Sequence, residues 1–131
     1  LLLSDGRLTA ADMHDVGRVP QLIFLNACES GRLRGVVEGN GHDAPLSVVP
    51  KNVGIAEGFL LHGVANFIGT YWKVDDAAAT SFASTFYKGL LTGKAISITM
   101  REARRQIETT GPRDWANYLH FGDPLYVLRQ G

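Results

Sequence analysis

Cys28 is the only cysteine in the chain and its best candidate nucleophile. A thiolate attacks carbonyl carbon better than any other side chain, but an ordinary thiol of pKa about 8.5 is only slightly ionised at neutral pH. It needs a histidine or a helix N-terminus beside it. Cys28 follows the apolar stretch Gln-Leu-Ile-Phe-Leu at 21–25 by three residues, and Glu29-Ser30-Gly31 after it suits an exposed tight turn. The alternative is a small buried hydrophobe at a strand end, because free cysteine is among the most buried residue types. Asp75 and Asp76 form a second candidate pair at the start of a helical pattern. Two carboxylates there would cap orphan N–H groups and complement the helix dipole, or one would face a pocket and pair with a basic group on a ligand.

A base for Cys28 would come from His14, His42, His62 or His120. None has metal-ligand spacing with another His, Cys or carboxylate, and each also reads as a surface or structural histidine. His42, in a long glycine-bearing segment, is the only one on a stretch that could easily reach Cys28. Nucleotide motifs fail: Gly93-Lys94 is followed by Ala95, and Lys88 stands where a P-loop has its first glycine. Gly39-Asn40-Gly41 has no third glycine for a dinucleotide fingerprint. No cofactor and no metal is expected.

The elements that must position these residues are those of a globular domain. The 131 residues are 45% hydrophobic and 20% charged, with 13 basic and 13 acidic side chains, an ordinary balance for a chain able to bury a core. Zero net charge argues against a nucleic-acid or anionic-membrane footprint. No apolar run approaches the roughly 18 residues that span a bilayer. A lone cysteine rules out an internal disulfide and favours a reducing, cytoplasmic setting. The opening Leu1-Leu2-Leu3 carries no methionine and no charged leader, and reads as a strand entered part-way through a longer polypeptide.

After Ser4-Asp5-Gly6, Thr9 is a candidate N-cap for a short helix that Gly17 and Pro20 end. The stretch 21–25 has the pattern of a strand buried on both faces. Residues 31–52, with Gly31, Gly35, Gly39, Gly41 and two prolines, read as one long loop. Helical spacing returns from about Val53, with Ala56, Phe59, Leu60 and Gly63 on one face, and 64–71 is a strand candidate. A helix opening at Asp75 and Asp76 presents Ala79, Phe82, Phe86 and Leu90 and ends at Gly93. The next presents Ile96, Met100, Ala103 and Ile107, with Arg101, Glu102, Arg104 and Arg105 toward water, and is broken at Gly111-Pro112. Residues 118–121 and 125–128 read as a strand pair or one interrupted strand. Strands alternating with helices predict an α/β layer fold with a largely parallel sheet, whose chemistry collects at the carboxyl ends of the strands.

In this order the motifs resemble the CHAT family, caspase-like cysteine peptidase domains often attached to tetratricopeptide repeats. The resemblance is carried by the motifs Leu2-Leu3-Ser4-Asp5-Gly6-Arg7-Leu8-Thr9-Ala10-Ala11, Leu22-Ile23-Phe24-Leu25-Asn26-Ala27-Cys28-Glu29-Ser30-Gly31 and Gly63-Val64-Ala65-Asn66-Phe67-Ile68-Gly69-Thr70-Tyr71-Trp72-Lys73-Val74-Asp75-Asp76. Phe86-Tyr87-Lys88-Gly89-Leu90-Leu91-Thr92-Gly93-Lys94, Trp115-Ala116-Asn117-Tyr118 and Phe121-Gly122-Asp123-Pro124 complete it. The resemblance implies a caspase-like three-layer sandwich with a mostly parallel sheet, of which residues 1–131 are the C-terminal portion. It implies Cys28 as the catalytic cysteine and a catalytic histidine in a His-Gly context, which family order places ahead of Leu1. It further implies that Asp76, with Asp75 beside it, holds a basic side chain next to the scissile bond.

The expected function is therefore a cysteine endopeptidase cleaving after a basic residue, controlled by a tetratricopeptide-repeat or other regulatory domain of the same parent chain. A bacterial, cytoplasmic setting goes with the resemblance. The 131 residues alone are expected not to cleave peptides. A peptide or protein substrate is the expected partner, with no nucleic acid and no membrane. The rival reading is a non-catalytic interaction module that keeps the fold.

Overall fold

The computed structural model describes residues 2–3, 6–7, 12, 17–26, 51–109 and 113–129. Strands β1 (Leu2–Leu3) and β2 (Gly6–Arg7) pair antiparallel as a ladder of their own. The helix expected after Thr9 lies outside the described residues, apart from Asp12. The principal sheet has the order β3 (Leu22–Leu25), β4 (Asn66–Thr70), β5 (Tyr118–Gly122). Helices α1 (Lys51–Leu61), α2 (Asp76–Leu91) and α3 (Ile96–Ile107) complete the mixed α/β architecture, with a 3-10 turn at Asp114–Ala116.

Side chains alternate along a strand, so each strand serves two cores. Leu22 and Phe24 of β3, Ile68 of β4 and Tyr118 of β5 pack with the buried stripes of α2 and α3. Ile23, Leu25, Phe67 and Phe121 face the other way and pack with Ala56 and Phe59 of α1. The stripes of α2 and α3 match the expected spacing: Ala79, Phe82, Phe86 and Leu90, then Ile96, Met100, Ala103 and Ile107, are all buried. Phe82 lies flat on Tyr118, centroids 3.5 Å apart and 3° from parallel. Burial of each such aromatic ring contributes about 1.5–3 kcal/mol.

The sheet is less parallel than the sequence suggests. β3 and β4 run parallel in the register Leu25↔Gly69, but β4 and β5 run antiparallel, with Thr70 opposite Tyr118. Two helices, not one, join β4 to β5. The α2–α3 hairpin carries the chain away and back again, so β5 starts at the edge where β4 ended.

Three local boundaries also differ from expectation. α1 begins at Lys51, two residues before Val53, and Gly63 lies beyond its end with φ 91. Residues 125–128 form no strand; only Val127 bridges Ala95. The N-cap of α3, Ala95, offers no side-chain cap, and the carbonyls of Tyr126 and Pro124 accept the N–H groups of Ile96 and Ser97. The last segment thus satisfies a helix start that its own side chains leave open. At the end of α2, Lys94 N–H donates to Gly89 O and Gly93 N–H to Leu90 O, with Gly93 at φ 80. This is the Schellman closure a glycine permits, and it confirms Gly93 as the stop signal.

Arg104 does not face water with its neighbours. Its Nη2 donates to the Tyr118 carbonyl at 2.6 Å, and burial lowers its pKa from the ordinary value. Met100 and Arg104 are four residues apart, so their directions around the helix differ by about 40°. Arg104 therefore stands at the border of the buried stripe, above β5.

Candidate functional site

Parallel pairing sends the carboxyl ends of β3 and β4 to one edge of the sheet, where open α/β folds collect their chemistry. Leaving β3, Asn26 is exposed, and its Oδ1 accepts a hydrogen bond from the Tyr118 hydroxyl at 3.3 Å. Cys28 follows two residues later and lies outside the described residues, as do His14 and His42.

Leaving β4, the chain crosses 71–74 and enters α2. Asp75 is the N-cap: its Oδ2 accepts from Ala77 N–H at 3.0 Å and Ala78 N–H at 3.3 Å. The cap expected of this carboxylate is therefore present. Asp76 is the first residue of α2 and is exposed, with its carbonyl accepting from Thr80 Oγ1 at 2.9 Å. Tyr71 and Trp72 are 44% and 42% exposed, with rings 5.7 Å apart and nearly perpendicular. Val74 is buried and anchors the crossing to the core.

A residue absent from the sequence candidates organises this crossing. Asn117 is fully buried, immediately ahead of β5. Its Oδ1 accepts from the N–H of Tyr71 at 2.6 Å and of Trp72 at 2.7 Å, while its Nδ2 donates to the Trp72 carbonyl at 2.7 Å. Its sequence signal is its place in the motif Trp115-Ala116-Asn117-Tyr118, ahead of a strand. A buried amide whose partners lie 45 residues away leaves no periodic trace.

The two described histidines are each held in a hydrogen bond. His62 Nδ1 donates to Gly58 O at 2.6 Å, within α1. His120 Nε2 is 3.0 Å from Asn66 Oδ1; an amide oxygen only accepts, so Nε2 is the donor. Burial holds the His120 pKa below its ordinary value, against the pull of Asp123, with Arg104 adding to the depression. The ring of His120 reaches the first residue of β4, at the end opposite to the site. Among the described residues no group of three His, Cys, Asp or Glu could hold a metal ion. No helix among them is long and apolar enough to cross a membrane.

A mixed sheet with a parallel pair, a strand leading toward a lone cysteine and an acidic helix start beside it together define a class of α/β domain. Residues 1–123 match the CHAT domain, and the chain belongs to that family, whose members are caspase-like. It is similar to tetratricopeptide repeat protein 28 of Mus musculus, 26% identical over 122 residues that cover 90% of this chain and 4% of that protein. The human protein of the same name is 24% identical over 122 residues, with the same coverage. The chain thus spans about 4% of the length of these curated relatives, both of them mammalian proteins.

Proposed function

We propose that, within its full-length protein, this domain is a caspase-like cysteine endopeptidase cleaving after a basic residue. Cys28 is the nucleophile, and Asp76 with Asp75 receives the basic side chain. The domain is then a three-layer sandwich, working in the cytoplasm. A tetratricopeptide-repeat region of the same chain, of the kind named in the mammalian relatives, controls it.

The observation that carries this reading is the parallel register Leu25↔Gly69, with both strands ending at one edge. A segment leading to Cys28 and a segment leading to Asp76 leave the sheet side by side. The chemistry follows from the residue types. A histidine from elsewhere in the protein takes the Cys28 proton, and Sγ attacks the peptide carbonyl carbon. Backbone N–H groups hold the resulting oxyanion. The intermediate collapses to a thioester as the C–N bond breaks, and the departing amine takes the proton from the imidazolium. Water then attacks the thioester and restores the thiol.

The test is hydrolysis of arginyl and lysyl reporters by the full-length protein. Cleavage that Cys28→Ala abolishes supports the proposal. A full-length, folded protein with no cleavage in the presence of its repeat region, or with cleavage indifferent to Cys28→Ala, replaces it with a non-catalytic interaction module.

A further inference from the structure

The link between β4 and α2 is pinned at both ends. Val74 is buried in the core beneath α2, and the backbone of Tyr71 and Trp72 is held by the side chain of Asn117 through three hydrogen bonds of 2.6–2.7 Å. The Tyr71 N–H is shared with the Asn117 carbonyl at 3.1 Å, and Asn117 N–H donates to Asp114 O at 3.2 Å. The clamp is therefore itself anchored by the 3-10 turn.

Solvation does not explain such an arrangement. Tyr71 and Trp72 are exposed residues at the rim of the sheet, where water could serve their backbone groups at little cost. A buried amide satisfies them instead, and a buried amide is tolerated only when its own groups are bonded. What the amide adds is a fixed direction for the chain as it leaves β4. Three residues after Trp72 come the two carboxylates at the start of α2, so the clamp sets where they stand relative to the carboxyl edge.

We propose that Asn117 is a positioning residue of the candidate site, acting through the backbone of Tyr71 and Trp72 to hold Asp75 and Asp76 where a basic peptide side chain binds. The identity of what is bound rests on the peptidase reading; the hold on the backbone does not. Asn117→Ala removes all three side-chain bonds. Asn117→Asp keeps the acceptor for both N–H groups but sets a carboxylate oxygen against the Trp72 carbonyl. The added negative charge alone would tighten binding of an arginyl peptide, whereas a displaced link weakens it, so the sign of the change separates the two effects.

The experiment uses full-length protein carrying Cys28→Ala and a labelled peptide with arginine or with citrulline, its uncharged isostere. Unaltered at Asn117, the protein binds the arginyl peptide more tightly. Both Asn117 variants weaken that binding about tenfold, the order of one hydrogen bond to a charged group, and leave the citrullyl peptide unchanged. Amide exchange at Tyr71 and Trp72 accelerates in the same variants. If Asn117→Ala does not fold, the Asp variant carries the test alone. Faster exchange with unchanged or tighter arginyl binding overturns the positioning role and leaves the peptidase reading standing. Failure of the parent protein to distinguish arginine from citrulline overturns the basic-residue preference and the positioning role with it, while hydrolysis sensitive to Cys28→Ala decides the peptidase reading separately.

Discussion

Nε2 of His120 donates to Oδ1 of Asn66 across 3.0 Å, joining the middle of β5 to the first residue of β4. The other end of the Asn66 amide reaches Gln21 O at 3.5 Å, and Asn66 N–H donates to the same carbonyl at 3.0 Å. One buried amide thus ties together the amino end of the β3–β4 pair and the neighbouring strand. The arrangement mirrors Asn117 at the carboxyl end, where a second buried amide holds the exit from β4. Both ends of the central strand are closed by asparagine side chains, which can donate and accept at once.

Burial of the His120 ring makes stability depend on pH. Burial keeps the folded imidazole neutral to a lower pH than the ordinary value of about 6.5; Asp123 opposes this and Arg104 reinforces it. Below that pH the unfolded chain binds a proton that the folded chain refuses, so stability is complete above about 6.5 and falls as pH drops toward the folded pKa. Thermal midpoints measured from pH 8 to pH 5 should decline more steeply for the parent chain than for His120→Gln. Equal slopes would show that His120 contributes nothing to the decline.

Gly89 inverts an ordinary helix rule. Replacing glycine by alanine in a helix interior normally stabilises by about 0.5–1 kcal/mol. Here a Cβ at residue 89 would lie 2.4 Å from Thr99 Cγ2, where α2 and α3 meet. Gly89→Ala is therefore expected to destabilise by about 1–3 kcal/mol, the usual cost of overpacking. Thr99→Ser deletes Cγ2 but keeps the hydroxyl that donates to Ile96 O at 2.9 Å. In that background the alanine should cost less, and a double-mutant cycle by chemical denaturation measures the coupling. Additive effects would mean that the helices separate freely at this point.

Arg104 separates from its neighbours in the same way. Replacing it with Met keeps the apolar stem but removes the 2.6 Å bond to the Tyr118 carbonyl. A loss of about 1–2 kcal/mol is expected, toward the lower end for a charged hydrogen bond because the group is half exposed. Arg101→Ala and Arg105→Ala, at exposed positions of the same helix, should stay within about 0.5 kcal/mol. Urea unfolding of the three variants is the measurement, and three equal losses would remove any distinct role for Arg104.

These residues show where sequence reading succeeds. The stripes of α2 and α3 are legible because four apolar residues at spacings of three and four can form only one helical face, and Gly93 marks its end by a conformation few other residues adopt. Arg104 is misread because a charged residue at the border of a stripe looks the same as one outside it. The antiparallel sense of β5 depends on two helices returning the chain to one edge, which no single segment encodes. At the site, Asp75 is legible as a cap from its place before the helix, whereas Asn117 acts only through partners 45 residues distant.

Asp75 and Asp76 are adjacent, yet only Asp75 is the N-cap of α2, and substitution can separate the cap from the proposed substrate contact. Asp75 Oδ2 accepts two N–H groups of the first turn of α2. Asp75→Ala should cost about 0.5–2 kcal/mol of stability, and Asp75→Ser, which preserves a capping oxygen, much less. Asp76 is the first residue of the helix and is exposed, so Asp76→Asn should cost no more than about 0.3–1 kcal/mol, the worth of a first-turn charge on the helix dipole. On the proposed reading, its effect falls on substrate. In the full-length protein KM for an arginyl reporter rises at least about tenfold, with kcat changed less, as for loss of a ground-state ionic contact. Asp75→Ser, tested beside it, reports whether the capping carboxylate shares that contact. An arginyl KM unchanged by both substitutions would assign the acidic pair to the helix alone and move the search for the basic-residue pocket elsewhere along the sheet edge.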